Sequence, residues 1–362
     1  MSTTETVSSV WSRIVRLLAL RPALAVAAVY VAARLVTTLF LLVAAALSGP
    51  TSRFGADATI GTLSMGWDAQ WYWVVGTAGY PDHLPLDANG QVTQNAWAFM
   101  PLYPAVTRAL AIVLAGNYPL AAVVLAIVAG YLACLVLFHL LRMRLDASAS
   151  LWAVALLAAS PLAALFQMGY AESLFLLWLF LALWCLVRRR WGWLYALIPL
   201  MGFTRPGVLA FALMLGGYGV LRWFRRHEDP LPARQVVHIV ALGMLAVVVG
   251  FSWQLIAGLV TGDPSAYMET ELSWRRGWIG DGGFVPFDGF VQASALWFRL
   301  WGLPEGAGYG AVGLRGLAGA ALLPFEPHVG PPGRGVGRGG GGGTTPPGGG
   351  GWIARARRSP GP

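Results

Sequence analysis

From Pro22 to Leu47 the chain runs for about 26 residues with one charged side chain, Arg34. Crossing the ~30 Å hydrocarbon core of a bilayer takes ~20 apolar residues in a helix. The run is too long for a signal-peptide core, and no small-residue cleavage site ends it. It therefore predicts a membrane helix, and it is one of several. Further apolar runs occupy 99–115, 119–141, 150–167, 170–187, 192–203, 207–221 and 236–260, with shorter ones near 291–303 and 307–323. Only 11% of the residues are charged and 57% are hydrophobic, against about 25% charged in a soluble domain. Such a chain cannot cover a water-facing surface, which excludes a soluble enzyme. The expected fold is all-α, a polytopic transmembrane helix bundle.

The basic residues fix the orientation. All 25 are Arg and none is Lys, which with the abundant Ala, Gly and Pro points to a GC-rich, bacterial genome. Three loops between apolar runs are basic: Arg142 with Arg144, Arg188-Arg189-Arg190, and Arg222 to Arg234. The positive-inside rule places all three in the cytoplasm, together with the N-terminal residues 1–21. That holds only if 99–115 lies in the interface or re-enters, and if 192–203 and 207–221 form a hairpin of short crossings. Broken helices of this kind are tolerated where they line a polar cavity. The membrane domain is expected over 22–325, with external loops at about 48–98 and 261–290. Residues 326–362 are rich in Gly, Pro and Arg and can form neither a core nor a span. Two readings of that tail stay open: a disordered end, or a reading frame lost near 305–330.

The remaining charge sorts to the external side. Asp68 lies in the first external loop, and Glu172 opens the run 170–187. Arg205 sits at the tip of the short hairpin, and Asp263, Glu269, Glu271, Arg275 and Arg276 lie in the second loop. Ionisable groups at membrane depth are functional candidates. Four separate segments thus bring acids and arginines to one face, where a polar or phosphorylated head on an apolar tail could be handled. Arg34 stands apart, mid-run in the first helix, either paired structurally with a neighbouring helix or reaching a lipid phosphate. Cys134 and Cys185 lie in apolar runs and predict no disulfide, and the five His show no metal-ligand spacing. No Gly-rich phosphate loop joins a strand to a helix, and no basic patch suits nucleic acid.

Around Asp68 the sequence is Gly66-Trp67-Asp68-Ala69-Gln70-Trp71-Tyr72-Trp73. Read as a helix, it places Trp67, Trp71, Val74 and Ala78 on one face, as an interfacial helix would. Gly79-Tyr80 follows, then Ala98-Phe99-Met100-Pro101-Leu102-Tyr103-Pro104, Tyr170-Ala171-Glu172-Ser173-Leu174-Phe175 and Thr204-Arg205-Pro206-Gly207. In this order and spacing the set resembles the PIG-V-type mannosyltransferases over roughly residues 20–300.

The resemblance implies a GT-C fold with interfacial helices in the first external loop and an active site on the extracytoplasmic face. It implies inverting transfer of mannose from a polyprenyl-phosphate donor to a hydroxyl of a glycolipid, lipoglycan or protein acceptor. Asp68 matches the family's acidic position in the first loop and would act as general base. Arg205, with Arg275 or Arg276, would meet the phosphate. Glu172 would orient Arg205 or bind sugar hydroxyls. Trp67, Tyr103 and Trp274 would stack on the sugar or anchor in the interface, and Asp263 and Arg34 complete the substrate-binding candidates. No metal or cofactor is expected. The sequence departs from the family where the tail turns Gly-rich. A transporter or flippase also uses broken helices and buried charge, but no internal repeat is visible. An inactive truncated fragment is the third reading.

Overall fold

A computed structural model describes residues 21–280, Val285, 288–310 and 312–313. The chain divides into two compact units, one up to Phe284 and one from Val285. The first unit is helical. Its long helices are α1 (Pro22–Ala46), α5 (Tyr118–Leu141) and α10 (Ala233–Thr261). Each is long and apolar enough to cross a membrane, and a bent pair supplies up to one more span. The first loop carries the short α2 (Ile60–Ser64), α3 (Asp68–Ala78) and a 3-10 turn at Ala96–Ala98. Then come α4 (Leu102–Val113), α6 (Ala147–Ala158), α7 (Glu172–Val187), α8 (Trp191–Gly202), α9 (Val208–Phe224) and α11 (Ala266–Ile279). Leu35 and Phe40 on α1, Leu255 and Leu259 on α10 and Leu213 on α9 are more than half exposed. Large apolar side chains turned outward in such number suit a lipid surface rather than water.

The helices alternate in direction, so their loops gather at two ends. The Tyr30 hydroxyl donates to the Ile127 carbonyl and the Tyr131 hydroxyl to that of Ala23, which sets α1 antiparallel to α5. At one end the three basic loops meet: Arg189 and Arg222 both reach Asp229, at 2.5 and 3.1 Å, and Arg142 and Arg188 line one cavity. The opposite end holds the loop between α1 and α4, the starts of α5, α7 and α9, and α11. The acids Asp68, Glu172, Asp263, Glu269 and Glu271 are all there.

Two runs differ from continuous spans, each for a local reason. Helix α4 has 12 residues, ~18 Å at 1.5 Å per residue, which is too short to cross. Its start at Leu102 is tied instead to the α8–α9 turn, the Leu102 N–H donating to the Phe203 carbonyl at 2.9 Å. The run 150–167 breaks at Ser160-Pro161, where α6 gives way to a 3-10 turn, Pro161–Gln167, bent by 78°. Proline cannot donate, and its ring clashes with the preceding turn, so carbonyls are left bare at the bend. Arg34 satisfies two of them: its guanidinium donates to the carbonyls of Ala158, at 2.6 Å, and Ala163. Tyr30 and Phe166 flank it with their rings. Each buried carbonyl left unpaired costs ~1–3 kcal/mol. Arg34→Leu is therefore expected to lower stability by ~2–4 kcal/mol, read as the unfolding midpoint in detergent. A variant as stable as the parent would show that the bend needs no such brace.

The core is largest where α7, α8, α9 and α10 meet, around Leu194, Ile198, Met201, Leu215 and Leu242. Cys134 and Cys185 are buried free thiols in separate clusters. The second unit is described through α12 (Asp288–Leu300), where Arg299 pairs with Glu305 at 2.7 Å and Trp297 packs on Trp301. The tail expected at 326–362 and the N-terminal residues 1–20 lie outside the described residues.

Candidate active site

Asp68 and Glu172 are each the first residue of a helix, α3 and α7. A carboxylate in that position faces the positive end of the helix dipole. The segment Met168–Tyr170, packed beneath the first loop, brings the two starts together. The Gly169 N–H donates to the Ser64 carbonyl at 2.9 Å, and the Asp68 N–H to the Tyr170 hydroxyl at 3.4 Å. Helix α3 is fixed from the other side by Tyr118, whose hydroxyl donates to the Tyr72 carbonyl at 2.7 Å. Gly76 makes room for this, since a Cβ there would fall 2.5 Å from the Tyr118 ring.

Arg205 comes from the turn between α8 and α9. The turn closes through Gly207, whose φ of 151° disfavours any L side chain, with the Phe175 ring against it. The Thr204 hydroxyl donates to the Leu200 carbonyl at 2.6 Å. So held, Arg205 Nη1 donates to Glu172 Oε1 at 2.7 Å, leaving Glu172 Oε2 buried with no hydrogen-bond partner. Arg205 also acts on Tyr72 and Asp68. Burial pushes the Asp68 carboxyl above the usual carboxylate range, and the Arg205 charge only partly offsets this.

A further acid completes the cluster. Glu271 on α11 feels both Arg205 and Asp68, and its side chain is hydrogen-bonded to Tyr267. Its carboxyl too is raised, first by burial, with Tyr267 and Arg205 opposing. From sequence alone Glu271 is one charge among several in the second loop, and Tyr72 and Tyr170 carry no expected role. The usable signal was helical spacing: Tyr267, Glu271 and Trp274 recur at i, i+4 and i+7 on one face of α11. Helix α11 itself lies inside what the composition presents as a polar loop. It is held there by Asn95, whose amide donates to Thr270 Oγ1 at 2.9 Å, and by Arg276, which donates to the Val92 carbonyl at 2.9 Å.

An aromatic wall borders the charges. Trp71 stacks on Phe99 with centroids 5.9 Å apart, and Trp274 meets both rings edge-on at 5.5 and 5.6 Å. Trp274 Nε1 is buried and has no hydrogen-bond partner. No family model, curated protein or solved structure matches the chain.

The other sequence candidates sit elsewhere. Trp67 precedes α3 at a φ of 50°, outside the helical face proposed for it, and its ring packs on Phe54 and under Arg53. Trp71 takes the place on the aromatic wall. Tyr103 is fully buried and donates to the Ala122 carbonyl at 3.2 Å, with its ring against Tyr72. It supports α3 from beneath. Asp263 accepts from the Ser265 N–H and hydroxyl at 2.8 and 2.7 Å, which holds its carboxyl below the usual range. It lines a separate cavity of about 520 Å³ with His83, Gln91, Glu269 and Arg276. Arg275 lies next to Trp274 on α11, half-buried. Arg34 braces the helix bend. Among the described residues no three His, Cys, Asp or Glu side chains form a metal-binding group.

The arrangement supplies a carboxylate with raised proton affinity, a guanidinium anchored by a second carboxylate, and a ring surface next to both. Chemically it can accept a proton, hold an oxyanion such as a phosphate, and stack on an apolar face.

Proposed function

We propose that this chain is a GT-C-type membrane glycosyltransferase. It moves mannose from a polyprenyl-phosphate-mannose donor to an acceptor hydroxyl, with inversion at the anomeric carbon. The observation that carries the reading is the convergence of Asp68, Glu172, Arg205 and Glu271 beside the wall of Trp71, Phe99 and Trp274. The basic loops lie at the opposite end. Nine arginines in those loops face three acids, Asp146, Glu228 and Asp229, and the positive-inside rule then puts the acidic cluster outside the cytoplasm.

In the reaction, the acceptor oxygen attacks the anomeric carbon from the face opposite the phosphate. Its proton passes to the Asp68 carboxylate, and the bond from carbon to phosphate oxygen breaks with its electron pair leaving on oxygen. The raised proton affinity of Asp68 makes it a better base than an exposed Asp. The leaving phosphodiester becomes a monoester and gains negative charge. Arg205 meets that charge as a planar fork already oriented by Glu172, so little reorganisation is needed. Trp71 and Trp274 offer faces for the sugar, and Trp274 Nε1 a donor for a hydroxyl.

The test uses membranes carrying the full chain and radiolabelled polyprenyl-phosphate mannose. Label is expected to pass to an endogenous acceptor, with a product anomer opposite to that of the donor. Label that stays on the donor with the folded chain present would sink the reading. Preferential use of polyprenyl-phosphate glucose would replace the sugar assignment.

A further inference from the structure

At the basic end a cavity of about 400 Å³ opens between α5 and α7, lined by Val136, His139, Arg142, Met143, Leu181, Trp184 and Arg188. This is in the size range of small-molecule sites, roughly 300–1,000 Å³. Its lining comes from one face of each helix. Val136, His139 and Met143 follow one another at i, i+3 and i+7 on α5 and its end. Leu181, Trp184 and Arg188 repeat that spacing on α7 and its end. Val136, Leu181 and Trp184 are half-buried, while His139, Arg142 and Arg188 are exposed at the mouth. The cleft is thus apolar toward the middle of the bundle and cationic at its rim.

The two rim arginines differ from their neighbours. Arg189 and Arg222 both pair with Asp229 and share its charge. Asp146, the acid nearest to Arg142 in the chain, caps α6 through the Ala149 N–H at 2.8 Å. Neither Arg142 nor Arg188 has a carboxylate in ion-pair range among the described residues. Both are nevertheless held in place. Arg142 Nη1 donates to the Leu145 carbonyl at 2.5 Å, and the Arg188 guanidinium lies over the Trp184 ring, 5.3 Å from its centroid. Two ordered, unneutralised guanidinium groups above an apolar cleft are complementary to a phosphate carrying an acyl chain. Basic clefts between membrane helices on this side of the bilayer recognise lipid headgroups by this chemistry.

We propose that this cleft binds an anionic phospholipid, with its phosphate between Arg142 and Arg188 and an acyl chain along Val136, Leu181 and Trp184. The site is independent of the sugar-transfer reading, because it lies at the opposite end and its test measures binding.

The full chain, in discs of zwitterionic phosphatidylcholine, is titrated with phosphatidylglycerol and retained lipid is counted by native mass spectrometry. Phosphatidylglycerol is expected to be retained over phosphatidylcholine, with apparent affinity at least tenfold weaker in Arg142→Gln/Arg188→Gln. The control Arg144→Gln/Arg190→Gln removes the same charge from the same end and is expected to bind as the parent does. Arg142→Lys/Arg188→Lys keeps the charge and is expected to retain most of the affinity, which decides the matter should the Gln pair fail to fold. Equal weakening in both Gln pairs overturns the proposal in favour of diffuse attraction to the basic face. Equal retention of phosphatidylcholine overturns it as well. Displacement of the lipid by millimolar inorganic phosphate would reassign the cleft to a soluble anion.

Discussion

Asp68→Asn is expected to slow sugar transfer by ~10²–10⁴-fold, the usual contribution of a positioned general base. The substitution is nearly isosteric, and Asp68 is held through its backbone N–H on Tyr170, which Asn keeps. The fold and the unfolding midpoint should therefore change little, which separates a lost base from a lost structure. The pH dependence adds a check on the parent. Asp68 must be ionised to accept a proton, so the rate falls as pH drops through its folded pKa. Burial raises that pKa, so the acid limb should lie above the ~3.9 of a free Asp. Initial rates across pH measure it directly. Equal rates for parent and Asp68→Asn would remove Asp68 from the chemistry.

Arg205→Gln is expected to cost ~10²–10³-fold in transfer, the scale of losing a preorganised group aimed at developing charge. Removing its positive charge also removes the influence that holds Asp68 down, so the residual acid limb should move to higher pH. A Lys at the same position restores charge but not the fork, and should recover part of the rate. If Arg205→Gln left the rate and the limb where they were, the phosphate role would be untenable. Glu172 and Arg205 would then be a structural pair and nothing more.

Much of this was legible in the sequence, for reasons that differ between elements. The run from Pro22 became α1 almost residue for residue, because length and apolarity alone decide such a helix. Asp68, Glu172 and Arg205 stand out because charge next to apolar runs is conspicuous, and the structure brings all three together. Helix α11 was not legible as a helix, because its mixed composition reads as a loop until a buried face is known. That left Glu271 as one of several loop charges with no role of its own, since its significance depends on Arg205 arriving from a turn 66 positions earlier in the chain. Trp67 and Tyr103 illustrate the converse. Their motifs are conspicuous, but one side chain turns toward Arg53 and the other is packed beneath α3. Which way a tryptophan faces at a helix start depends on φ, and a positive value at a non-Gly residue follows from tertiary contacts rather than local preference.

The Glu172–Arg205 pair also bears on how the chain is held in the bilayer. The two residues are 33 apart in sequence and sit at the same end of an antiparallel pair, α7 and α8. Each reaches that end on its own hairpin tip, Glu172 between α6 and α7 and Arg205 between α8 and α9, so the two meet only once both tips are in place. A lone guanidinium crossing hydrocarbon is opposed by several kcal/mol. Held there against its own carboxylate, the guanidinium belongs to a pair with no net charge, and leaving that pair for the hydrocarbon would expose it alone. The contact that orients Arg205 in the site thus also latches the α6–α7 and α8–α9 connections to each other at that end of the bundle.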